Sequence, residues 1–268
     1  MNRKWIIPIV LCAAVGVAFT LSRFKHQAAQ VDENMPQAQQ LVEQAMALQA
    51  HGQMLEAKAE YQKILAEHPD FDDIETIQSQ LGELNIKIVE SNTETPQTVL
   101  HEIQAGDSLG KLAKEYNTTQ ELIKKSNNLS GDVIRLGQKL RIWKGNFQIH
   151  VDKSRNILIL KNGEEVLKVY NVSTGTNNST PVGKFKITIK LVDPVWFKSG
   201  AVIPPESPEN VLGSRWMGFD LAGYGIHGTT EPDKIGQQAT AGCVRMLNRD
   251  IEELYTLVPI GTVVTVVD

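Results

Sequence analysis

The amino-acid sequence predicts a multidomain chain: an N-terminal transmembrane helix, an α-helical spacer, a small βααβ module and a mostly antiparallel β-domain. Three observations predict it. An apolar run, Trp5 to Leu21, follows Arg3 and Lys4. Between Met35 and Glu90 apolar residues recur at helical spacing. From Asn146 onward the period changes to two, with turn residues between the runs.

Bulk properties agree with this division and exclude several classes. The 268 residues suggest about two folded domains. At 41% hydrophobic and 22% charged, the chain can build cores, which excludes wholesale disorder. A net charge of −4 argues against a nucleic-acid partner, since phosphate recognition brings a basic excess. Two cysteines, Cys12 and Cys243, are too few for a disulfide scaffold or a four-cysteine zinc site.

The segment 1–25 reads as a signal peptide or signal-anchor. An apolar helix of this length spans about 25 Å, just enough for a bilayer core. Ser22, Arg23, Phe24 and Lys25 offer no small-x-small cleavage site, which favours an uncleaved anchor. Cys12 is then a membrane-buried apolar residue, and Cys243 is a lone thiol in the exported part.

Residues 35–90 read as three helices. Ala38, Leu41, Val42, Ala45 and Leu48 share one face, as do Met54, Ala57, Tyr61, Ile64 and Leu65, and then Ile74, Ile77, Leu81, Leu84 and Ile88. The spacing of Gly52, Ala57, Tyr61 and Pro69 resembles one tetratricopeptide repeat. The segment is a spacer or small bundle, or else a module with a protein partner. Ser91 to Thr98 is polar, contains Pro96 and reads as a linker.

Residues 99–144 read as strand, helix, helix, strand. Ser108 is placed to cap the first helix, and Thr118 or Thr119 the second. The runs Ala105-Gly106-Asp107-Ser108-Leu109, Asn127-Asn128-Leu129 and Leu136-Gly137-Gln138-Lys139-Leu140 resemble a LysM module. The resemblance implies a βααβ fold that binds N-acetylglucosamine-containing glycan strands such as those of peptidoglycan. The positions that match its sugar groove are Gly106, Asp107, Ser108, Asn127 and Asn128. Asp107 and Ser108 also suit turn and cap chemistry.

Residues 146–268 carry strands near Phe147–Val151, Ile157–Leu160, Val166–Val172, Phe185–Leu191 and Val263–Val267. Asn162-Gly163 signals a hairpin turn, and Asp250 to Leu257 reads as helix. A thiol needs a base or a positive environment to become a thiolate. Of six histidines, only His227 lies in a glycine-rich stretch of the same domain as Cys243. Gly242 beside the thiol lets amide N–H groups converge on one spot, as an oxyanion hole requires. On residues alone, Cys243 is either a nucleophile or a small buried hydrophobe.

Ile226-His227-Gly228-Thr229, Gly236 and Gly242-Cys243-Val244-Arg245-Met246 resemble the signature of the L,D-transpeptidase catalytic domain. Ser173-Thr174-Gly175 and Thr180-Pro181-Val182-Gly183-Lys184-Phe185 support it. The resemblance implies Cys243 as nucleophile, His227 as base, and amides near Gly242 and Cys243 around the oxyanion. It implies acyl transfer between peptidoglycan stem peptides through a cysteine thioester, giving 3→3 crosslinks, with no cofactor and no metal. An L,D-carboxypeptidase, another thiol peptidase or a membrane-tethered peptidoglycan-binding adaptor are the alternatives.

The chain departs from the family's Ser-His-Gly-Cys: it has Thr240-Ala241-Gly242-Cys243. Thr240 keeps a hydroxyl that could orient His227; Ala241 loses an imidazole. Arg245 either meets a substrate carboxylate or braces the loop. Trp196 and Trp216 either wall the acyl-donor groove or pack as core or lid. Tyr224 and Thr229 either touch substrate or pack turns. Glu206, Glu209, Glu231 and Asp233 read as solvated loop charges. The expected location is a membrane-anchored chain with its catalytic part outside the cytoplasmic membrane, in the periplasm or cell wall.

Overall fold

The computed structural model describes residues 24–198 and 200–268. The predicted transmembrane segment, 1–25, therefore lies almost wholly outside the described residues. Among those described, no helix is long and apolar enough to cross a membrane. The chain forms two compact units, Met1–Ile88 and Val89–Asp268.

The first unit is helical. Its elements are α1 (Phe24–Ala50), α2 (Met54–Glu67) and α3 (Ile74–Glu90), the last running into the second unit. Gly52, at φ 77°, makes the turn between α1 and α2. The predicted faces bury one another: Ala38, Leu41, Val42 and Ala45 join Ala57, Tyr61 and Ile64, and Ile74, Ile77, Leu81, Leu84 and Ile88 complete the core. Phe71, between helices, enters the same core and carries no periodic signal. Among the described residues, the stripes that were candidates for a protein partner are used within this cluster.

The second unit begins with β1 (Thr98–Glu102), α4 (Leu109–Glu115), α5 (Gln120–Ser126) and β2 (Lys139–Trp143). β1 and β2 pair antiparallel, Thr98 to Trp143 through Glu102 to Lys139. Ile103, Leu109, Leu112, Ala113, Ile123, Leu140 and Ile142 form the small core beneath them. Ser108 caps α4 and Thr119 caps α5, each through its side-chain oxygen. Asn127 ties α5 to β2. Its Nδ2 donates to the carbonyls of Ile123 (2.8 Å) and Arg141 (2.7 Å), and its Oδ1 accepts from the Arg141 amide (2.7 Å). Asn127→Ala strands a half-buried N–H and two carbonyls. It is expected to lower unfolding free energy by about 2 kcal/mol in a urea titration.

The expected 91–98 linker is pinned. Arg141 Nη1 donates to the carbonyls of Val89 and Ser91, and the Lys144 amide donates to Gln97 O (2.9 Å). Thr119 does a second job. Its hydroxyl donates to the Thr256 carbonyl, so the cap of α5 also satisfies the end of a helix 137 residues away.

The β-domain comprises β3 (Phe147–Asp152), β4 (Ile157–Asn162), β5 (Glu165–Asn171), β6 (Thr174–Gly175), β7 (Gly183–Val192), β8 (Trp196–Lys198), β9 (Ala201–Ile203), β10 (Arg215–Phe219), β11 (Gly225–His227), β12 (Gln238–Thr240), β13 (Val244–Arg245), α6 (Asn248–Leu257) and β14 (Val263–Val267). Eight strands form one sheet, in the order β13-β11-β10-β7-β14-β3-β4-β5. Its pairs are antiparallel except β14 with β3 and β11 with β13. The last strand thus inserts mid-sheet, beside the first.

Alternation decides which face is buried. Ile149 and Val151 of β3, Leu158 and Leu160 of β4, Ile187 of β7, and Val264 and Val266 of β14 are buried. Ile251, Leu254 and Leu257 of α6 are fully buried at i, i+3, i+6. The first hairpin turn differs by one residue from the sequence expectation. Asn162 pairs with Glu165, so Gly163 (φ 58°) and Glu164 make the two-residue loop. Asn162 instead accepts the Asn146 amide through Oδ1 (2.7 Å).

Candidate active site

Short glycine-rich strands assemble the site. Gly218 of β10 pairs with Gly225 of β11. A Cβ at Gly225 would lie 2.6 Å from Met217 O and 2.9 Å from Trp216 Cζ2; one at Gly218 would lie 2.8 Å from Trp216 Nε1. Two glycines thus make room for the Trp216 indole. The indole stacks on the His227 ring at 5.8 Å and 20°. Trp216 is therefore a half-buried wall of the His227 site.

β13 runs parallel to β11, with Ile226 opposite Val244 and His227 opposite Arg245. Cys243 lies in the bend after Gly242, immediately before β13, and so next to the strand that pairs with the one carrying His227. Its Sγ lies 3.5 Å from the Gly223 carbonyl.

His227 is 3% exposed. Its Nδ1 lies 2.7 Å from the Gly228 carbonyl, which can only accept, so Nδ1 carries the proton. Nε2 is then the basic nitrogen. Burial lowers the His227 pKa to about 4; the Arg245 charge adds to this, and the Gly228 and Leu212 carbonyls oppose it. Burial pushes the Cys243 thiol up, against smaller opposing effects of the Gly225 backbone and Arg245. Near neutral pH the free site holds a thiol and a neutral imidazole.

Thr240 does not reach His227 as expected. Its hydroxyl donates to Cys243 O (2.7 Å) and accepts from the Gly242 amide (3.1 Å). That bond takes Gly242 N–H out of the expected oxyanion pair. Among the described residues, no hydrogen-bond partner faces the Cys243 amide. Gly242 sits at φ 134°, where a Cβ would lie 2.8 Å from Tyr224 Cε1. Tyr224 therefore packs over the turn that carries the thiol. Ala241 is exposed.

Arg245 braces. Its Nη1 pairs with Glu231 Oε2 at 2.9 Å, and its side chain is 7% exposed. Glu231 is a solvated loop charge that is also paired: Lys234 and Arg245 together hold its carboxyl below the usual range. Thr229 is buried in a turn, accepting the Glu231 amide at Oγ1 (2.8 Å). Gly228 and Gly213 abut Asn248, which no motif singled out.

The five glycan-groove residues separate. Gly106 (φ 90°) makes a turn, and Ser108 caps α4. Asp107 accepts from His101 Nε2 (2.9 Å) and the Gln104 amide (2.7 Å), while His101 Nδ1 meets Tyr116 OH (2.9 Å). Asn127 is committed to the backbone. Asn128 (φ 53°) lines a cavity of about 720 Å³ with Leu129, Val133, Arg135, Leu136 and Gln138.

Comparison with known proteins matches this architecture. The family model for the YkuD L,D-transpeptidase catalytic domain matches residues 146–266, and that for the LysM domain matches 101–143. The helical segment keeps only its spacing resemblance to a tetratricopeptide repeat. YqjB of Bacillus subtilis, named as an L,D-transpeptidase, is 38% identical over 130 residues, covering 46% of this chain and 73% of that protein. YkuD of Bacillus licheniformis, also so named, is 28% identical over 176 residues, covering 63% of this chain and 98% of that protein. The chain belongs to the L,D-transpeptidase family and is an enzyme.

Proposed function

We propose that the enzyme forms 3→3 crosslinks in peptidoglycan through a thioester on Cys243. The donor is the carbonyl joining the L-centre of a stem-peptide diamino acid to the terminal D-alanine. The Cys243 proton passes to His227 Nε2 as sulfur attacks that carbonyl. His227 returns the proton to the departing amine. The C–N bond breaks, D-alanine leaves and a thioester remains. The amine of a second stem attacks the thioester, loses its proton to His227 and frees the thiol. The Cys243 amide supports the oxyanion.

The observation that carries this proposal is the parallel register of β11 and β13, which brings the Gly242–Cys243 turn next to the strand of His227, with the Cys243 amide unengaged among the described residues. Because both groups are neutral at rest, proton transfer accompanies attack rather than preceding it. Water in place of the second amine makes the same site an L,D-carboxypeptidase. An adaptor with a dead site is disfavoured, since both reacting residues are present. The LysM module supports glycan binding at the cavity beside Asn128, with Arg135 and Gln138 as polar contacts in place of Gly106, Asp107, Ser108 and Asn127. An anchor at 1–25 would hold the catalytic part outside the cytoplasmic membrane. Glycan binding raises local substrate concentration without altering the chemistry.

The test is incubation of the purified protein with disaccharide-tetrapeptides, read by mass spectrometry. Release of D-alanine with crosslinked dimers is the expected result. D-alanine with tripeptide monomers alone establishes the carboxypeptidase. No release of D-alanine overturns both.

A further inference from the structure

His227 is oriented by the Gly228 carbonyl, and that carbonyl is itself held. Gly228 C=O and Thr229 N–H belong to one planar peptide group and point opposite ways. The Thr229 amide donates to Asn248 Oδ1 at 2.9 Å. The Ser214 amide donates to the same oxygen at 3.3 Å. Two donors converging on one atom require the amide oxygen there, not the NH2 group.

The slot is built for this side chain. A Cβ at Gly228 would lie 2.1 Å from Asn248 Oδ1, and one at Gly213 would lie 2.2 Å from it. Gly213 also stands at φ 64°, a conformation that favours glycine. Asn248 is the first residue of α6, which is fixed by the fully buried Ile251, Leu254 and Leu257. A rigid helix thus reaches between two glycines to hold the Gly228–Thr229 peptide, just beyond the bond from the Gly228 amide to Arg215 O (3.2 Å).

We propose that Asn248 is a positioning residue for acyl transfer: it locks the Gly228–Thr229 peptide plane so that the Gly228 carbonyl keeps His227 in the Nδ1–H tautomer, with Nε2 free to take the Cys243 proton. The proposal rests on the assigned role of His227 and extends it to a residue that touches neither substrate nor thiol. Without the clamp, rotation about Gly228 releases Nδ1, and the other tautomer, which carries its proton on Nε2, cannot act as base.

Two measurements on the full chain test it. In kinetics with disaccharide-tetrapeptide, Asn248→Ala should lower kcat roughly 10- to 100-fold and leave KM nearly unchanged. Asn248→Asp keeps an oxygen acceptor and should restore most of kcat, while its charge moves the acid limb of the pH profile upward. In 15N NMR of histidine-labelled protein, with His227 assigned by loss of its signal in His227→Gln, the wild type should show the Nδ1–H tautomer. Asn248→Ala should show a mixture.

Should Asn248→Ala fail to fold, Gly228→Ala drives a methyl against the same oxygen and should give the same tautomer mixture. An unchanged tautomer in the folded variant overturns the proposal, whatever happens to kcat, since a structural brace alone would leave it so. A shifted tautomer in a protein inactive on the donor supports the clamp and removes the transpeptidase assignment instead.

Discussion

Cys243→Ala is expected to abolish D-alanine release from disaccharide-tetrapeptides, a loss of at least about 10⁴-fold, with the fold unchanged. The reason is covalent: the proposed acyl bond is made to sulfur, and the variant has none. His227 is stacked beneath Trp216 with Nδ1 tied to Gly228, and Thr240 is bonded on both sides of its hydroxyl. The alanine variant loses half-buried sulfur only, so circular dichroism and thermal midpoint should match the wild type closely. Residual activity within tenfold of wild type would exclude a thioester route. The thiol itself should react slowly at rest. Burial raises its pKa, so iodoacetamide labelling should climb through the alkaline range. A rate plateau near pH 6 would instead reveal a resting thiolate–imidazolium pair.

His227→Gln should cost roughly 10²- to 10⁴-fold in kcat/KM, since it keeps the buried volume but loses the base. Its pH signature is more specific than its size. The wild-type ring, with pKa lowered to about 4, stays neutral well below the range of an ordinary histidine. The acid limb of kcat/KM should therefore lie near pH 4 rather than near 6.5.

The same shift acts on stability. On acidification the unfolded state takes the proton first, near pH 6.5, and the folded state only near pH 4. The stabilisation linked to a neutral His227 is thus complete above about pH 6.5 and lost as pH falls toward 4, on the order of 3 kcal/mol in all. Urea unfolding at pH 7 and pH 4.5 should show this loss in the wild type and much less of it in His227→Gln. Equal losses in both proteins would assign the acid sensitivity elsewhere.

Much of this architecture is legible in local sequence because local chemistry determines it. The caps at Ser108 and Thr119 are short-range devices, written where they act. The helical stripes from Ala38 to Ile88 and the long strands from Phe147 to Val267 follow from periodicity alone. Cys243 and His227 are legible for a different reason, since each lies in a dense motif whose glycines restrict the backbone.

What escaped is set by contacts distant in the chain. β11 and β13 span only three and two residues, too few for an alternation to read. β10 and β11 meet where Gly218 faces Gly225 beside the Trp216 indole, a tertiary fact. Glu231 is a loop charge, but its pairing with Arg245 exists only once β13 is in place. Asn127 reads as a groove residue, yet its amide is used by α5 and β2. Gly242 is a local exception: its N–H goes to the Thr240 hydroxyl two residues away rather than to an oxyanion. The Asn162 turn moved by one residue because its side chain serves Asn146.

The central claim is that acyl transfer proceeds through Cys243. The most direct measurement is the intact mass of the protein after brief exposure to a disaccharide-tetrapeptide without an added acceptor, followed by proteolysis to locate any adduct. The expected result is a mass gain equal to the donor less D-alanine, carried on the peptide containing Cys243 and absent from Cys243→Ala. Release of D-alanine at full rate by Cys243→Ala, or an adduct on any other residue, would contradict it.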